Sequence, residues 1–329
     1  MPIANDDGYY ETELDAAVTS LPQDFQVEWS KLNQPLGEIK GTGKEDTPVV
    51  ATTASPLVTI REGDIGEAMN VAMGAGPASI VGTKAILPRE AVVNLGKARS
   101  MTGFKDSPDE ILNKTGWYKG PDAQWRYEIS DEGMKLVDRD WKVGEQGKLK
   151  DFVEHPELYK AYPELADYKF AVAPKNYQSI ASVNPRTKTI MINPSKIASG
   201  DEGILDVLAH EIQHTIQLKE GFALGGSPVQ ALAQATTALV EKMKVTKDPE
   251  AKREMMDLFL SIHGKADDFG HYMYMRLPGE VEANSVAARR QLTDAQRKQF
   301  PVKEMEKMME GEDFPLAGAK YVTDFIYPE

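Results

Sequence analysis

The residues best suited to chemistry in this sequence are two histidines and a glutamate in one short segment. His210 and His214 are four positions apart, and Glu211 follows the first of them. On a helix this spacing places the two imidazoles about 40° apart around the axis, so that one Zn²⁺ can bind both. Glu211 would lie beside the open coordination position, where a carboxylate can take a proton from water. The segment therefore predicts a zinc-dependent hydrolytic site.

The surrounding residues predict that this segment is a helix over residues 200–220. Ser199 and Glu202 form an S-x-x-E pattern that is typical of a helix start, and Gly221 is typical of a helix end. The apolar residues share one helical face: Ile204, Leu205, Leu208, Ile212 and Ile216. Because the two histidines fall on the opposite face, we expect the helix to be anchored in a core and to present them to a cleft.

A catalytic zinc site needs a third protein ligand, and the chain contains no cysteine. Glu280 is the preferred candidate. Asn284 shares its helix face, so one of the two could bind the metal while the other forms a hydrogen bond to a zinc-bound histidine. Glu282 points about 200° away from Glu280 and is the alternative ligand. His271 is a less favoured candidate.

An ordinary protein surface is the alternative to a metal site. In that case the two histidines would be solvated, and the two glutamates would pair with Arg289 or Arg290, as exposed carboxylates usually do. His155, far from the other histidines in the sequence, is expected to be structural or exposed rather than a metal ligand.

The patterning predicts an α+β fold with a helical C-terminal half. In this fold a small twisted sheet packs on the helix over 200–220, which is called the metal helix below. A hairpin is expected to carry Trp117 and Trp125 into the core. Three further strands are predicted from alternating apolar residues: 168–173, 179–183 and 189–193. The last two should form a hairpin, and the final strand should lie at the edge of the cleft.

Helices are predicted before and after these strands in the sequence. One runs from residue 89 to about 101, and one or two cover 228–262 with a break near Pro249. A last helix, over 278–292, carries the candidate third ligand. A short helix is also expected over residues 65–73.

The HExxH segment followed by E-x-E-A-N on a later helix resembles the glutamate-ligand zincins, including the anti-repressor-type metallopeptidases of mobile elements. In that group the first glutamate is the third ligand, which implies Glu280 here. The runs TGWYKGPDAQWRYEISD, HPELYKAYPEL, LAHEIQHTIQLKEGFALGGSP and LPGEVEA resemble the zincin-like domain of large polyvalent proteins of bacteriophages and integrative elements. This resemblance covers roughly residues 100–300 and implies a zincin-like core and a phage or prophage source.

Four regions are expected along the 329 residues. Residues 1–60 are polar and aperiodic and predict an extended arm that is flexible or ordered by a partner. Residues 61–100 predict a small helical lead-in segment, 101–300 the zincin-like domain, and 301–329 a peripheral tail.

Composition excludes several classes of function. The net charge of −13, from 38 basic and 51 acidic residues, argues against a nucleic-acid-binding surface. No apolar run approaches the length of a membrane span, and the acidic first residues are unlike a secretory signal peptide. The expected location is a phage virion or the host bacterial cytoplasm.

These observations give one leading hypothesis, a phage or prophage zinc metallopeptidase that acts on a protein or peptide. Zinc would lower the pKa of a bound water towards about 7, and Glu211 would be the general base. The main alternative is a structural or ejected virion protein with a zincin fold and little or no catalysis, whose arm contacts other virion proteins. A toxin or anti-defence effector that cleaves one host protein is a third possibility.

Overall fold

The computed structural model describes residues 77–137 and 141–290, with the separate positions 292, 297, 301–303 and 306. The predicted arm over 1–60 and the predicted helix over 65–73 lie outside the described residues. Contacts divide the described chain into a larger unit, formed by residues 77–225 and 278–290, and a smaller unit, formed by residues 226–277. The expected 101–300 domain thus includes residues of both units, and residues 77–100 belong to the larger unit.

A three-stranded antiparallel sheet contains the predicted tryptophan hairpin. Strands β1 (Pro77–Val81), β2 (Trp117–Lys119) and β3 (Trp125–Ser130) are arranged in the order β1-β3-β2. Trp117 is fully buried, and its indole Nε1 donates a hydrogen bond to the carbonyl of Ala91 at 2.8 Å. The predicted hairpin is confirmed, although Trp125 is only partly buried. Strand β1, from the expected lead-in segment, pairs with β3 of this hairpin.

Two helices connect β1 to this hairpin. Helix α1 (Arg89–Gly103) corresponds to the predicted helix, and α2 (Pro108–Thr115) follows it. Ser107 and Glu110 form a reciprocal capping box at the start of α2, in which each side chain accepts from the backbone N–H of the other residue. Gly116, with φ of 74°, ends α2 in the left-handed conformation that a glycine adopts without strain.

Small strands and a helix link the first sheet to the second. Strand β4 (Lys135–Leu136) pairs antiparallel with β6 (Val153–Glu154), and helix α3 (Pro156–Ala161) follows. The side chain of His155 accepts a hydrogen bond from the backbone N–H of Leu158 and so caps α3. His155 is buried, and its Nε2 lies 3.0 Å from an oxygen of the buried Asp131, so its role is structural.

The second sheet has four strands: β5 (Gln146–Lys148), β7 (Lys169–Val172), β8 (Ala181–Asn184) and β9 (Thr189–Ile192). Their order is β5-β7-β9-β8, with β7 parallel to β9 and the other pairs antiparallel. The β8–β9 hairpin was predicted correctly. The expectation that the strand before the metal helix is an edge strand was wrong, because β7 pairs with the other side of β9 and leaves β8 at the edge.

The metal helix, α4 (Gly200–Glu220), packs against β8 and β9. It ends as predicted at Gly221, which has φ of 80°. It also begins at the predicted position, but the predicted cap does not form: the Ser199 side chain makes no capping hydrogen bond, and Gly200 takes φ of 60°. The Glu202 carboxylate is instead occupied by an ion pair with Arg290.

Helix α8 (Pro278–Arg290) packs along α4 and against β1. The two helices and the second sheet share one apolar core, which includes Phe152, Phe170, Ile190, Leu208, Ile212 and Val286. Eleven of the residues of α8 are buried, the two glutamates among them. Buried carboxylates in an apolar core need partners, and those partners define the site described below.

The smaller unit contains helices α5 (Pro228–Val245), α6 (Pro249–His263) and α7 (Ala266–Met275). Asp248 caps α6 through a hydrogen bond from the backbone N–H of Glu250, which confirms that the helical segment is interrupted near Pro249 as predicted. This unit has its own apolar core, which includes Leu239, Val240, Met255, Leu258, Phe269 and Met273. The separate core explains why the contacts distinguish this segment from the rest of the predicted domain.

Candidate metal centre

Two helices bring the three predicted ligands together. His210 and His214 lie on one face of α4, and Glu280 lies in the first turn of α8. The approach of α8 depends on Gly279, because a Cβ there would lie 2.8 Å from the carbonyl oxygen of Leu224. The absence of a side chain at this position therefore allows the start of α8, and with it Glu280, to approach the metal helix.

The distances between the ligand atoms fit a single cation. The Nε2 atoms of His210 and His214 are 3.0 Å apart. They lie 3.3 and 3.4 Å, respectively, from the two carboxylate oxygens of Glu280. Three ligands at the usual zinc distances in tetrahedral geometry would be separated by about 3.3 Å. Among the described residues, these three form the group of His, Asp and Glu side chains that can hold a metal ion, with ligand atoms within 4.8 Å of one another.

The charges at the site are strongly coupled. Burial alone would lower the pKa of the His214 imidazole, but the neighbouring Glu280 carboxylate outweighs burial and raises the pKa to about 9. Burial would likewise raise the pKa of Glu280, but His214 and His210 hold that pKa well below its ordinary value. The Glu280 carboxylate can therefore bind a cation. In the metal-free protein the proton on His214 supplies a positive charge beside this carboxylate.

Glu211 lies close enough to interact electrostatically with all three ligands. Its side chain is buried, and burial raises the pKa of its carboxyl, with Glu280 adding to the increase and the two imidazoles opposing it. A carboxyl pKa above its ordinary value makes the carboxylate a stronger base, which is the property that a general base needs. The structure therefore places Glu211 beside the candidate ligands, in an environment suited to the role predicted for it.

Glu282 does not reach the two imidazoles. One of its carboxylate oxygens accepts from Arg126 Nε at 2.5 Å, and the other accepts from the side-chain amides of Gln213 and Gln217 at 2.9 and 3.0 Å. Of the two glutamates that the sequence offered as the third ligand, the structure brings only Glu280 to the histidines.

Gln217 forms the hydrogen bond to a candidate ligand histidine that was expected from Asn284. The Nδ1 atom of His214 lies 2.9 Å from the amide oxygen of Gln217 on the same helix. Gln217 is three positions after His214, so helical spacing alone could have identified it.

The partners of the two arginines are carboxylates other than Glu280 and Glu282. Arg289 pairs with Glu128, and Arg290 pairs with Glu202 and Asp206. His271, the less favoured ligand candidate, lies on α7 of the smaller unit, with its ring centroid 6.0 Å from that of Tyr274. The alternative of solvated histidines is also wrong, because the His210 and His214 side chains are only 12% and 16% exposed.

Comparison with known proteins adds one match. Residues 78–137 match the model of a family described as large polyvalent protein associated domain 23. No curated protein and no solved structure matches the chain. The match supports the predicted association with large polyvalent proteins. It covers β1 to β4 with α1 and α2, and none of the candidate metal ligands lies within it.

The described elements confirm the α+β fold class that the sequence predicted. Among the residues that the structure describes, each helix is too short or too polar to span a lipid bilayer.

Proposed function

We propose that this protein is a zinc-dependent metallopeptidase with a zincin-like core, in which His210, His214 and Glu280 bind the metal and Glu211 is the general base. The observation that carries the proposal is the convergence of these three ligands beside a buried carboxyl of raised pKa. The ligands come from two helices, and Glu280 lies 66 positions after His214 in the sequence. Perturbed carboxyls next to a metal-binding group are typical of hydrolytic sites.

The donor set favours zinc in a catalytic rather than a structural role. Two imidazole nitrogens and one carboxylate oxygen are ligands that zinc accepts well, and a structural zinc site usually has four protein ligands. The described residues supply three, which leaves one position for water or substrate. Gly225 contributes to the room at the site, because a Cβ there would lie 2.6 Å from the His214 ring.

The chain's own residues would carry the proton transfers. Zinc, when bound, supplies a Lewis acid that makes water a nucleophile near neutral pH and polarises the carbonyl of the scissile bond. Glu211 would accept the proton of the attacking water and deliver it to the leaving amine, after which the carboxylate is restored. Burial of Glu211 raises the pKa of its carboxyl, which makes the carboxylate a stronger base for the first of these steps.

We further propose that the substrate is an extended peptide segment. Among the residues that the structure describes, strand β8 lies at the edge of the second sheet, and it packs against the metal helix. An edge strand presents unpaired backbone N–H and C=O groups, to which an extended peptide can add as a further strand. A phage or prophage source, as part of a large polyvalent protein, is consistent with the family match to residues 78–137.

The test compares the wild type with Glu211→Gln, and uses Glu132→Gln, at an exposed position, as the matched control. All three proteins should bind close to one equivalent of zinc. Cleavage of a denatured-protein or peptide library should fall by about 10²-fold or more in Glu211→Gln only, because general-base catalysis contributes that much. Cleavage by Glu211→Gln at the wild-type rate would contradict the assigned role of Glu211.

A second candidate is a structural or ejected virion protein in which the zinc only stabilises the fold. It is favoured by the family match, which associates the chain with large polyvalent proteins through residues outside the metal centre. The same experiment separates the two functions. Stoichiometric zinc that raises the melting temperature, without cleavage by any of the three proteins, would support the structural role.

A further inference from the structure

We infer that Gln217 is a positioning residue of the metal centre, and that Glu282 and Arg126 hold it in the orientation that leaves Nε2 of His214 as the metal ligand. The inference rests on the proposed function for the identity of the metal. The hydrogen-bond network that supports it connects Gln217 on α4 with α8 and with Arg126 of β3.

The orientation of the Gln217 amide follows from its partners. Its Nε2 atom donates to the carbonyl of Gly279 at 2.8 Å and to a carboxylate oxygen of Glu282 at 3.0 Å. Both partners accept hydrogen bonds and neither can donate one while Glu282 is ion-paired, so a flipped amide would place its oxygen against two other oxygens. The atom of Gln217 that faces His214 is therefore the amide oxygen.

That orientation selects the tautomer of the ligand. Because the Gln217 oxygen can only accept, the Nδ1 atom of His214, 2.9 Å away, must carry the hydrogen. In the neutral imidazole the Nε2 atom then has the free lone pair, and this is the atom that faces His210 and Glu280. The network thus prepares Nε2 of His214 for a cation and restricts rotation of the ring.

Arg126 fixes the other end of the network. Its Nε donates to Glu282 at 2.5 Å, and its two terminal nitrogens bind Asp122 at 2.6 and 3.0 Å. The guanidinium also lies over the ring of Phe222, 3.9 Å from the centroid. Arg126 is buried, so its several contacts hold Glu282 as an acceptor directed at the two glutamine amides.

The network also indicates a role for the segment that matches the family model. Arg126 lies in this segment. So does Ile80, whose backbone N–H and carbonyl bind the side chain of Gln213 at 3.1 and 2.8 Å. The family-matched segment therefore contacts α4 at Gln213 and reaches Gln217 through Glu282, although it supplies none of the ligands.

Gln213 provides a matched control for Gln217. Both are fully buried glutamines on α4, and both donate to the same oxygen of Glu282. Of these two side chains, Gln217 is the one that forms a hydrogen bond with the His214 ring. Replacing each with methionine in the full chain removes a comparable buried amide, and the two variants should lose similar thermal stability.

The measurement is the zinc dissociation constant, obtained by competition with a chelator. Loss of a hydrogen bond to a ligand histidine typically weakens metal binding by about 10- to 100-fold. We expect that loss in Gln217→Met and a change below about threefold in Gln213→Met, which keeps the hydrogen bond to the ligand. Equal zinc affinities in the two variants would overturn the inference.

A measurement on the wild type tests the same inference without any variant. In the zinc-loaded protein with ¹⁵N-labelled histidine, NMR should show a hydrogen-bonded Nδ1 proton on His214 and zinc on Nε2. A proton on Nε2 with zinc on Nδ1 would refute the assignment. If the wild type binds no zinc, the proposed function fails, and the Nδ1 proton in the metal-free protein at high pH still tests the contact with Gln217.

Discussion

The Gly225→Ala variant gives the sharpest test of the geometry of the metal centre. The backbone at Gly225 is not in the left-handed region, so alanine introduces no backbone strain. The new Cβ would lie 2.8 Å from Cδ of Glu280 and 2.6 Å from Cε1 of His214. The perturbation therefore falls on two of the three ligands.

The size of the effect follows from these distances. Carbon atoms in contact are normally about 3.5–4.0 Å apart, so the Glu280 carboxylate or the alanine must move by roughly 1 Å. A metal site tolerates ligand displacements of about 0.2 Å. Overpacking of this kind costs about 1–3 kcal/mol, which corresponds to a zinc dissociation constant raised about 5- to 150-fold when the cost falls on the metal-bound state.

The assay measures the zinc dissociation constant and the melting temperature of the metal-free protein. Gly96→Ala is the control, because Gly96 lies inside α1 and a Cβ there meets no atom within 4 Å. This control should bind zinc like the wild type and gain up to about 1 kcal/mol in unfolding free energy. Metal-free Gly225→Ala should remain folded, because the Glu280 carboxylate can move aside when no metal holds it. Wild-type zinc affinity in Gly225→Ala would refute the geometry.

Two further predictions concern charge. Glu280 outweighs burial and raises the pKa of His214 to about 9. Protonation of His214 therefore stabilises the metal-free protein. This contribution is complete below about pH 6.5, the ordinary imidazole pKa, and is lost as the pH rises through about 9. The melting temperature of the metal-free protein should fall across that interval. Zinc competes with the proton on His214, so it should bind up to about tenfold more tightly per pH unit from 7 to 9. A zinc dissociation constant that does not change over this pH range would contradict the competition. Arg126→Met leaves the buried Glu282 carboxylate without its cation, so chemical denaturation should show a loss of about 3–5 kcal/mol. Adding Glu282→Gln should restore much of the loss, and a double variant no more stable than the single one would argue against the ion pair as its cause.

The metal helix illustrates what could be predicted from local sequence. The 3.6-residue period, the position of Gly221 and the spacing of His210 and His214 are properties of one continuous segment, and the helix they predicted is the one observed. The β8–β9 hairpin was predictable for the same reason, since Asn184 accepts hydrogen bonds from the backbone N–H groups of Arg186 and Thr187 within the turn itself.

Helical spacing also showed that Glu280 and Glu282 point in different directions, but it could not show which of them reaches the two histidines. That choice depends on how α8 packs, and on Arg126, which is 156 positions before Glu282 and neutralises it. The position of β9 inside its sheet was likewise decided by pairing with β7, a separate segment of the chain. Spacing within one segment fixes the relative directions of its own side chains, whereas their partners are fixed by packing between segments distant in sequence, and only the folded structure contains that information.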